Sequence, residues 1–317
     1  MDFKVEKTCS EARAGVIRTH HGQVSTPVFM PVGTQGAVKA VTPRDLKDIG
    51  VEIILGNTYH LYLRPGTEIL SGAGGLHRFS GWVKSILTDS GGFQVYSLAK
   101  LRKVDEDGVT FQSHLDGSSH RFTPENVIRI QRLIGSDIMM VLDECPPFPC
   151  DERYASGSNR RTLDWAARCL AEFRTGEGLY GYGQALFGIA QGATYPHIRE
   201  QSICALVELG FDGYAIGGLA VGEPAPIMYD MIEVCVKQIP PGSPRYLMGV
   251  GTPVNLLEAV ERGVDMFDCV LPTRNGRNAM AFTKIGSLTI TNARHANEFV
   301  PLDESCGCYA CRNFTRA

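Results

Sequence analysis

Short runs of apolar and β-branched residues recur along the chain, and each run stops at glycine or at a polar residue. The eight runs span residues 27–32, 51–55, 85–87, 138–142, 185–189, 213–216, 246–248 and 266–271. Because polar and apolar side chains do not alternate within them, these runs are typical of strands buried on both faces of a parallel sheet. The pattern therefore predicts eight parallel strands.

Segments with helical periodicity lie between these runs. They span residues 42–49, 124–133, 160–173, 197–209, 226–236 and 253–262. Thr42 and Thr252, each followed by proline, are typical of helix N-caps. Gly50, Gly210 and Gly263 stand where helix C-caps are expected. The alternation of strands and helices favours an α/β fold, the (β/α)8 TIM barrel, with a doubly wound open sheet as the alternative.

Three segments fall outside this repeat. Residues 3–26 alternate in polarity around His21-Gly22 and predict an N-terminal β-hairpin. Residues 104–122 contain two Asp-Gly pairs between short alternating segments, which predicts a β-insertion after the third barrel strand. A strand-like segment at 287–292 leads into a group of three cysteines. The economical prediction is one barrel with appendages.

The composition is that of a soluble globular protein. Hydrophobic residues make up 44% of the 317 residues and charged residues 21%. No apolar run approaches the ~18 residues needed to cross a bilayer, and the first residues lack the apolar stretch of a signal peptide. We therefore expect a cytoplasmic protein. Its net charge of −3 means that nucleic-acid binding would need a local basic patch.

Carboxylates dominate the predicted strand ends, where barrel enzymes place their chemistry. The polar residues expected there are Asp89, Asp143, Glu144, Gln191, Glu223 and Asp268. The chain has no Ser/His/Asp order and no phosphate-binding GxxxxGK[ST] motif, and for His60 a structural hydrogen bond is the favoured role. Paired carboxylates suit glycosidic-bond chemistry, in which one attacks the anomeric carbon and another protonates the leaving group. The alternative for any single aspartate is a helix cap.

A glycine-rich stretch, Gly217–Glu223, would place backbone amides and carbonyls at the same end of the barrel. Such a surface can contact a planar polar ligand such as a purine-like base along its edge. A tight turn that needs glycine for its geometry alone is the alternative. Phe93 and Met248 lie close to strand ends, where they would either sandwich the base or belong to the core.

Cys306, Cys308 and Cys311 place three thiols within six residues, a spacing that suits one tetrahedral zinc ion. A disulfide is disfavoured in a reducing compartment, and a redox Cys-x-x-Cys pair is the weaker alternative. No fourth ligand follows in the sequence, and His295 is the nearby upstream candidate. We predict a catalytic barrel over residues 1–282 and a partial zinc-binding subdomain over 283–317.

The last part of the chain is locally basic. From residue 274 onward there are six Lys and Arg against three Asp and Glu. Beside a zinc hairpin, such a surface suggests contact with a nucleic-acid backbone. A solvated surface of mixed charge is the alternative.

Seven motifs together resemble the bacterial tRNA-guanine transglycosylase family, and they follow the family's order over nearly the whole chain. They are GNTYHL at 56–61, LTDSGGFQ at 87–94, DEC at 143–145, GGLAVGE at 217–223, YLMGVG at 246–251, DCVLPTRNGR at 268–277 and the three cysteines.

The resemblance implies a zinc-bearing barrel that exchanges guanine for a 7-deazaguanine base at the wobble position of tRNAs with a GUN anticodon. Asp268 matches the nucleophile that attacks ribose C1′, and Asp89 matches the general acid/base. The matching substrate-binding positions are Asp143, Gln191, Gly217, Gly218, Leu219, Phe93, Met248, Asn57, Ser90, Cys145 and Val221. Arg274 and Arg277 match tRNA-contacting positions.

Two further expectations follow from the resemblance. Val221 and Cys145 are those of the bacterial pattern, whose members take preQ1; the eukaryotic pattern has glycine where Val221 stands and accepts the bulkier queuine. The family takes its fourth zinc ligand from a histidine on a later helix that also contributes to its homodimer. The sequence ends before that helix, so we expect a C-terminally truncated chain with weakened zinc retention and dimerisation.

Two alternatives from other functional classes stay open at this point. One is a non-catalytic tRNA-binding subunit of a paired transglycosylase, which would be expected to lack the nucleophile that Asp268 provides. The other is a small-molecule glycoside hydrolase, which would use the same carboxylates but would need neither the cysteines nor the Arg274/Arg277 pair.

Overall fold

The computed structural model of the protein describes residues 1–98 and 102–317. Its strands are β1 (Asp2–Cys9), β2 (Ala12–Thr19), β3 (Gly22–Thr26), β4 (Val28–Pro31), β5 (Ile53–Gly56), β6 (Ser85–Thr88), β7 (Arg102–Asp105), β8 (Gly108–Gln112), β9 (Ser119–Phe122), β10 (Ile138–Met140), β11 (Ala185–Ala190), β12 (Gly213–Ile216), β13 (Arg245–Leu247), β14 (Met266–Cys269), β15 (Met280–Thr283) and β16 (Gly286–Thr289).

The helices are α1 (Pro43–Asp48), α2 (Thr58–Leu63), α3 (Thr67–Gly72), α4 (Leu76–Ser80), α5 (Gly92–Leu98), α6 (Pro124–Ile134), α7 (Glu152–Arg174), α8 (Pro196–Leu209), α9 (Ala225–Val236), α10 (Pro253–Glu261), α11 (Leu271–Arg277) and α12 (Tyr309–Asn313), with a 3-10 turn at Ala293–His295. Among the described residues, no helix is long and apolar enough to cross a membrane.

Eight parallel strands form the central sheet, and all eight predicted apolar runs contribute one. The order around the sheet is β4, β14, β13, β12, β11, β10, β6 and β5. A parallel bridge between Val32 and Leu55 then joins the two end strands, so that the sheet closes. The predicted (β/α)8 barrel is confirmed, and the closure excludes the doubly wound open sheet.

The predicted helices begin and end at the capping residues that the sequence indicates. Thr42 forms a capping box with Asp45 at the start of α1, and Gly210 ends α8 in the left-handed conformation at φ +78°. Helix α7 begins at Glu152, eight residues before Arg160, where the sequence predicts its start. The side chain of Asp151 caps the helix there by accepting a hydrogen bond from the amide of Tyr154 at 2.7 Å. Its first two turns are largely polar, so apolar spacing alone did not predict them.

The N-terminal segment is a three-stranded antiparallel sheet, β1–β2–β3, rather than the single predicted hairpin. The sequence prediction missed the first turn, where Ser10 has a φ of +52° and no glycine marks the position. The predicted insertion is confirmed as the antiparallel sheet β7–β8–β9. Beyond the barrel, β15 and β16 pair antiparallel, and the predicted domain boundary after residue 282 falls inside β15.

The N-terminal sheet covers the end of the barrel at which the strands begin. There Arg13 donates to the carboxylate of Asp265 at 2.8 Å, just before β14. Nearby, the Asp137 carboxylate before β10 contacts Nδ1 of His21 at 2.7 Å and Nε2 of His77 at 3.2 Å. We call this second group the histidine clasp (His21, His77 and Asp137). Because it joins the N-terminal sheet to the barrel, its role here is structural.

Candidate active site

A cavity of about 360 Å³ opens at the other end of the barrel, where the strands finish. The structure brings all of the predicted catalytic and substrate-binding residues to its wall: Asn57, Asp89, Ser90, Phe93, Asp143, Cys145, Gln191, Gly217, Gly218, Leu219, Val221, Met248 and Asp268. These residues come from the ends of seven barrel strands and the loops that follow them, which closure of the barrel brings together.

Asp89 follows β6 and is buried in a nest of donors. Its carboxylate accepts hydrogen bonds from the Asn57 side-chain amide at 2.5 Å, the Thr58 amide at 2.8 Å and the Gly91 amide at 3.1 Å. Burial raises the pKa of Asp89 to about 6; these hydrogen bonds oppose the rise, and the negative charge of Asp268 adds to it. Asp89 can therefore both give and take a proton near neutral pH.

Asp268 lies in β14 and faces the cavity. Its Oδ1 accepts hydrogen bonds from the hydroxyl of Tyr246 at 2.6 Å and the amide of Gly249 at 2.8 Å. Within the described residues, Oδ2 accepts no hydrogen bond and the carboxylate has no ion pair. Burial raises the pKa of Asp268, while the two donors oppose that rise. One oxygen is thus fixed and the other is left for a ligand.

Asp143 follows β10 and forms a second polar group on the wall of the cavity. It accepts hydrogen bonds from the Ser90 hydroxyl at 3.0 Å and from the Gln191 amide nitrogen at 2.7 Å. Burial raises the pKa of Asp143, opposed by these two donors. The buried Oε1 of Gln191 has no hydrogen-bond partner among the described residues. Together these groups present acceptors to an enclosed ligand.

The loop after β12 presents its backbone to the cavity. Gly218 has a φ of +63°, and a Cβ there would lie 2.1 Å from Oε1 of Gln191, so only glycine fits. Further along, the carboxylate of Glu223 accepts the amides of Ala220 and Val221, the latter at 3.0 Å. The hydrogen bonds of Glu223 and the left-handed conformation of Gly218 therefore both fix the conformation of the loop.

Two of the carboxylates expected at the strand ends do not line the cavity. Glu144 turns toward α7, where it accepts a hydrogen bond from the Tyr154 hydroxyl at 2.9 Å and pairs with Arg161. Glu223 binds its own loop. His60, in contrast, lines the cavity; burial and the neighbouring His114 lower its pKa.

Sequence reasoning missed the roles of two residues. Tyr246 is the first residue of the YLMGVG motif and stands two positions before Met248, so both side chains lie on the same face of that segment. Arg199 was not singled out at all. It occupies the apolar stripe of α8 with Ile203 and Leu206, and an arginine at such a position is the available signal.

Arg274 and Arg277 stand on α11, which begins two residues after β14 ends. Both side chains are exposed in the last turn of that helix, and Arg277 donates to the carbonyl of Lys39 at 3.3 Å. The nucleophile candidate and the two cations therefore belong to one strand–helix unit, and the cations lie on the surface beside the cavity.

The three cysteines of the C-terminal segment come together, with their sulfur atoms within 4.8 Å of one another, and could hold a metal ion. His295 does not join them, which corrects the expectation that it could complete the site. Its Nδ1 contacts Glu298 at 2.7 Å, and its Nε2 accepts from Nε of Arg294 at 3.2 Å.

The comparisons with known proteins agree with this arrangement. The sequence profile of the family described as "Queuine tRNA-ribosyltransferase" matches residues 8–317. The chain belongs to the queuine tRNA-ribosyltransferase family. Membership of this family makes the chain a transferase. It excludes the alternative of a small-molecule glycoside hydrolase.

Individual relatives match nearly the whole chain, and all three described here bear the name Queuine tRNA-ribosyltransferase. The protein of Thermoanaerobacter sp. (strain X514) is 55% identical over 308 residues, which are 97% of this chain and 81% of that protein. The protein of Desulforudis audaxviator is 56% identical over 317 residues, 99% of this chain and 84% of that protein. The protein of Lawsonia intracellularis is 54% identical over 315 residues, again 99% and 84%.

Proposed function

We propose that the enzyme exchanges guanine at the wobble position of GUN-anticodon tRNAs for preQ1 through a covalent bond between Asp268 and ribose. The observation that carries this proposal is the pair of carboxylates on one cavity. Asp268 has a fixed oxygen and an open one, and Asp89 has a pKa of about 6. One group suits nucleophilic attack and the other suits proton transfer.

In the first half-reaction, Oδ2 of Asp268 attacks C1′ of the ribose and the bond between C1′ and guanine breaks. Protonated Asp89 gives its proton to the departing base, which leaves as neutral guanine. In the second half, ionised Asp89 removes a proton from preQ1, whose ring nitrogen attacks C1′ and releases Asp268. The energy of the glycosidic bond is kept in the covalent intermediate, so ATP is not required and ping-pong kinetics follow.

The base would lie between Phe93 and Met248, which are on the cavity wall. Asp143, held by Ser90 and Gln191, presents acceptors to the N–H groups of the guanine edge. Asn57, whose side-chain amide donates a hydrogen bond to Asp89, would also contact the ribose.

The loop favours preQ1 as the incoming base. Because Glu223 accepts the amide of Ala220, the carbonyl of Leu219 in the same trans peptide points away from Glu223. There it can accept a hydrogen bond from the aminomethyl group of preQ1. The side chains of Val221 and Cys145 occupy space on the cavity wall that a bulkier queuine would need.

The tRNA would bind across the open end of the barrel, with Arg274 and Arg277 contacting its phosphates. A nucleotide in the anticodon loop leaves its stack at low cost, which lets the wobble base enter the cavity. We propose a cytoplasmic enzyme for this substrate.

We further propose that the segment 283–317 is a zinc-binding subdomain. Three thiols that converge within 4.8 Å are the soft ligand set that zinc prefers, so the residues fit the metal. Bound through Cys306, Cys308 and Cys311, the ion would cross-link the segment around α12 and supply no reaction chemistry.

Trapping the covalent intermediate tests this function. The enzyme is incubated with a GUN-anticodon tRNA in the absence of incoming base and then resolved on a denaturing gel. We expect a protein–RNA adduct with the wild-type chain, none with Asp268→Ala, and release of modified tRNA when preQ1 is added. An adduct that persists in Asp268→Ala, or binding of tRNA without any adduct, would contradict the proposal and would favour the non-catalytic subunit.

A further inference from the structure

A buried arginine stands behind the glycine loop. Arg199, on α8, is fully buried and forms no ion pair within the described part of the chain. Its guanidinium group contacts backbone carbonyls instead. At β11 it donates to the carbonyl of Ala190, the last residue of the strand, at 3.4 Å and to that of Ala193, three residues further on, at 2.7 Å. In the loop after β12 it donates to the carbonyls of Gly217 at 2.8 Å and Gly218 at 3.1 Å. One side chain therefore fastens two adjacent loops of the cavity.

These contacts fix the direction of two peptide groups. The bonds after Gly217 and Gly218 are trans, so each N–H points opposite to the carbonyl of the same peptide. With both carbonyls turned toward Arg199, the amides of Gly218 and Leu219 turn away from it. Gly218 and Leu219 line the cavity and Arg199 does not, so the two N–H groups are on the cavity side.

We propose that Arg199 is a positioning residue that sets the hydrogen-bond polarity of the base pocket. Because its guanidinium group binds the carbonyls of Gly217 and Gly218, this edge of the pocket presents two hydrogen-bond donors, the amides of Gly218 and Leu219. A base must then present an acceptor there, as the 6-oxo group of guanine and of 7-deazaguanines does. A 6-amino group would direct its own N–H at these donors and leave them unpaired. The inference rests on the proposed function and deepens its account of base selection.

Only an arginine can do this at the site. The guanidinium group has five N–H donors in one plane, which allows it to reach carbonyls of both loops at once. A lysine has three donors on a single nitrogen and cannot span the same set. An apolar residue would leave three carbonyls, those of Ala193, Gly217 and Gly218, without a partner, and the loops would rearrange to satisfy them. The carbonyl of Ala190 would keep its hydrogen bond from the Gly217 amide at 3.0 Å.

The test compares the affinity for two free bases that differ at the 6-position. Guanine and 2,6-diaminopurine share the 2-amino group, but one carries a 6-oxo and the other a 6-amino group. Dissociation constants are measured by calorimetry for the wild-type chain, Arg199→Lys and Arg199→Gln. Arg132→Lys is the matched control, because Arg132 also holds carbonyls, those of Glu172, Phe173 and Gly176, away from the cavity.

We expect the wild-type chain and Arg132→Lys to prefer guanine to the same degree. In both Arg199 variants the preference should fall at least about tenfold, mainly through weaker guanine binding. A general loss of stability would weaken both bases alike, so the ratio separates positioning from folding. Arg199→Gln can still donate to one loop at a time, and gives a second measurement if Arg199→Lys does not fold.

Two contrary outcomes are distinguishable. If the wild-type chain selects guanine and both folded Arg199 variants select it equally well, the role of Arg199 is wrong and the proposed function stands. If the wild-type chain binds neither base, the proposed function fails and this inference fails with it.

Discussion

The hydroxyl of Tyr246 donates a hydrogen bond of 2.6 Å to Oδ1 of Asp268, on the adjacent barrel strand. Tyr246 is fully buried, so this bond is shielded from water and geometrically fixed. Together with the amide of Gly249 it stabilises the ionised carboxylate, against the burial that raises the pKa of Asp268. The tyrosine thereby orients Oδ2, the oxygen that we propose as the nucleophile.

Replacing Tyr246 with phenylalanine should slow formation of the covalent RNA adduct. The change removes one of two donors to Asp268, so the pKa of that carboxyl rises and its orientation loosens. A hydrogen bond to a charged group is worth about 1.5–3 kcal/mol, which corresponds to a loss of about tenfold to a hundredfold in rate. Single-turnover kinetics measure it. Tyr229→Phe, which loses a bond to Asn255 outside the cavity, is the control and should keep the wild-type rate.

The pH dependence of the first half-reaction should report the ionisation of Asp89. In the proposed mechanism its acid form protonates the leaving guanine, and its pKa is about 6, so the rate should fall as the pH rises through that value. In Asn57→Ala, the loss of a hydrogen bond that lowers the pKa of Asp89 should move this descending limb to higher pH. A limb that stays in place or moves to lower pH would contradict the assignment. Asn159→Ala, away from the cavity, is the control.

Val221 should limit the size of the incoming base. We expect preQ1 to outcompete queuine for release of labelled guanine from the wild-type enzyme. In Val221→Gly the removed side chain opens the wall of the cavity, and the relative use of queuine should rise. Competition assays with both bases measure this, and a wild-type enzyme that prefers queuine would contradict the proposal of preQ1.

The histidine clasp should stabilise the fold without affecting base binding. Burial disfavours the Asp137 carboxylate, but hydrogen bonds from His21 and His77 outweigh it and lower the pKa of Asp137. Removing one partner of a buried pair costs about 3 kcal/mol, so His77→Ala should lower the free energy of unfolding by that amount at pH 7. Urea denaturation measures it. Asp105→Asn, in an exposed pair with Arg121, should cost less than about 1 kcal/mol.

The sign of the pH effect follows from the direction of the shift. A carboxyl whose pKa is lower in the folded than in the unfolded chain stabilises the fold above its unfolded value, near 3.8 for aspartate. That contribution is lost as the pH falls below this value toward the folded pKa. The deficit of Asp137→Asn relative to wild type should therefore be largest near neutral pH and shrink in acid.

Metal content should depend on the cysteine group. Cys308→Ser replaces a soft thiolate with a hydroxyl and should lower the zinc bound per chain and the protease resistance of the segment around α12. Cys9→Ser, at an exposed free cysteine of β1, should change neither. Elemental analysis after gel filtration measures the zinc. Equal zinc in the two variants would contradict the proposed site.

The barrel could be predicted from sequence because its strands carry a local signal. A run such as 185–189 is apolar throughout, and such runs stop where the chain leaves the core. The short helices α2, α3 and α4 could not be predicted in this way, since each has only five or six residues and too few turns to show a period. Their conformation is set by packing against the barrel.

The cavity residues could be named from motifs, but their contacts could not. Asp143 faces the cavity while the adjacent Glu144 turns to Arg161, and the direction of the backbone after β10 decides this difference. Arg199 was missed because its partners are carbonyls, which every sequence has and no sequence pattern marks. A role carried by backbone geometry becomes visible only when the fold is known.

Closure of the barrel joins the first and last barrel strands. Asp268 on β14 is paired with Met30 on β4, so a stretch near the start of the chain holds the residue that we propose attacks the sugar. The Asp268 carboxylate can therefore reach its place on the cavity wall only after synthesis has passed β14. A nascent chain that stops before β14 would carry the earlier loops of the cavity but would lack the carboxylate that we propose bonds to RNA.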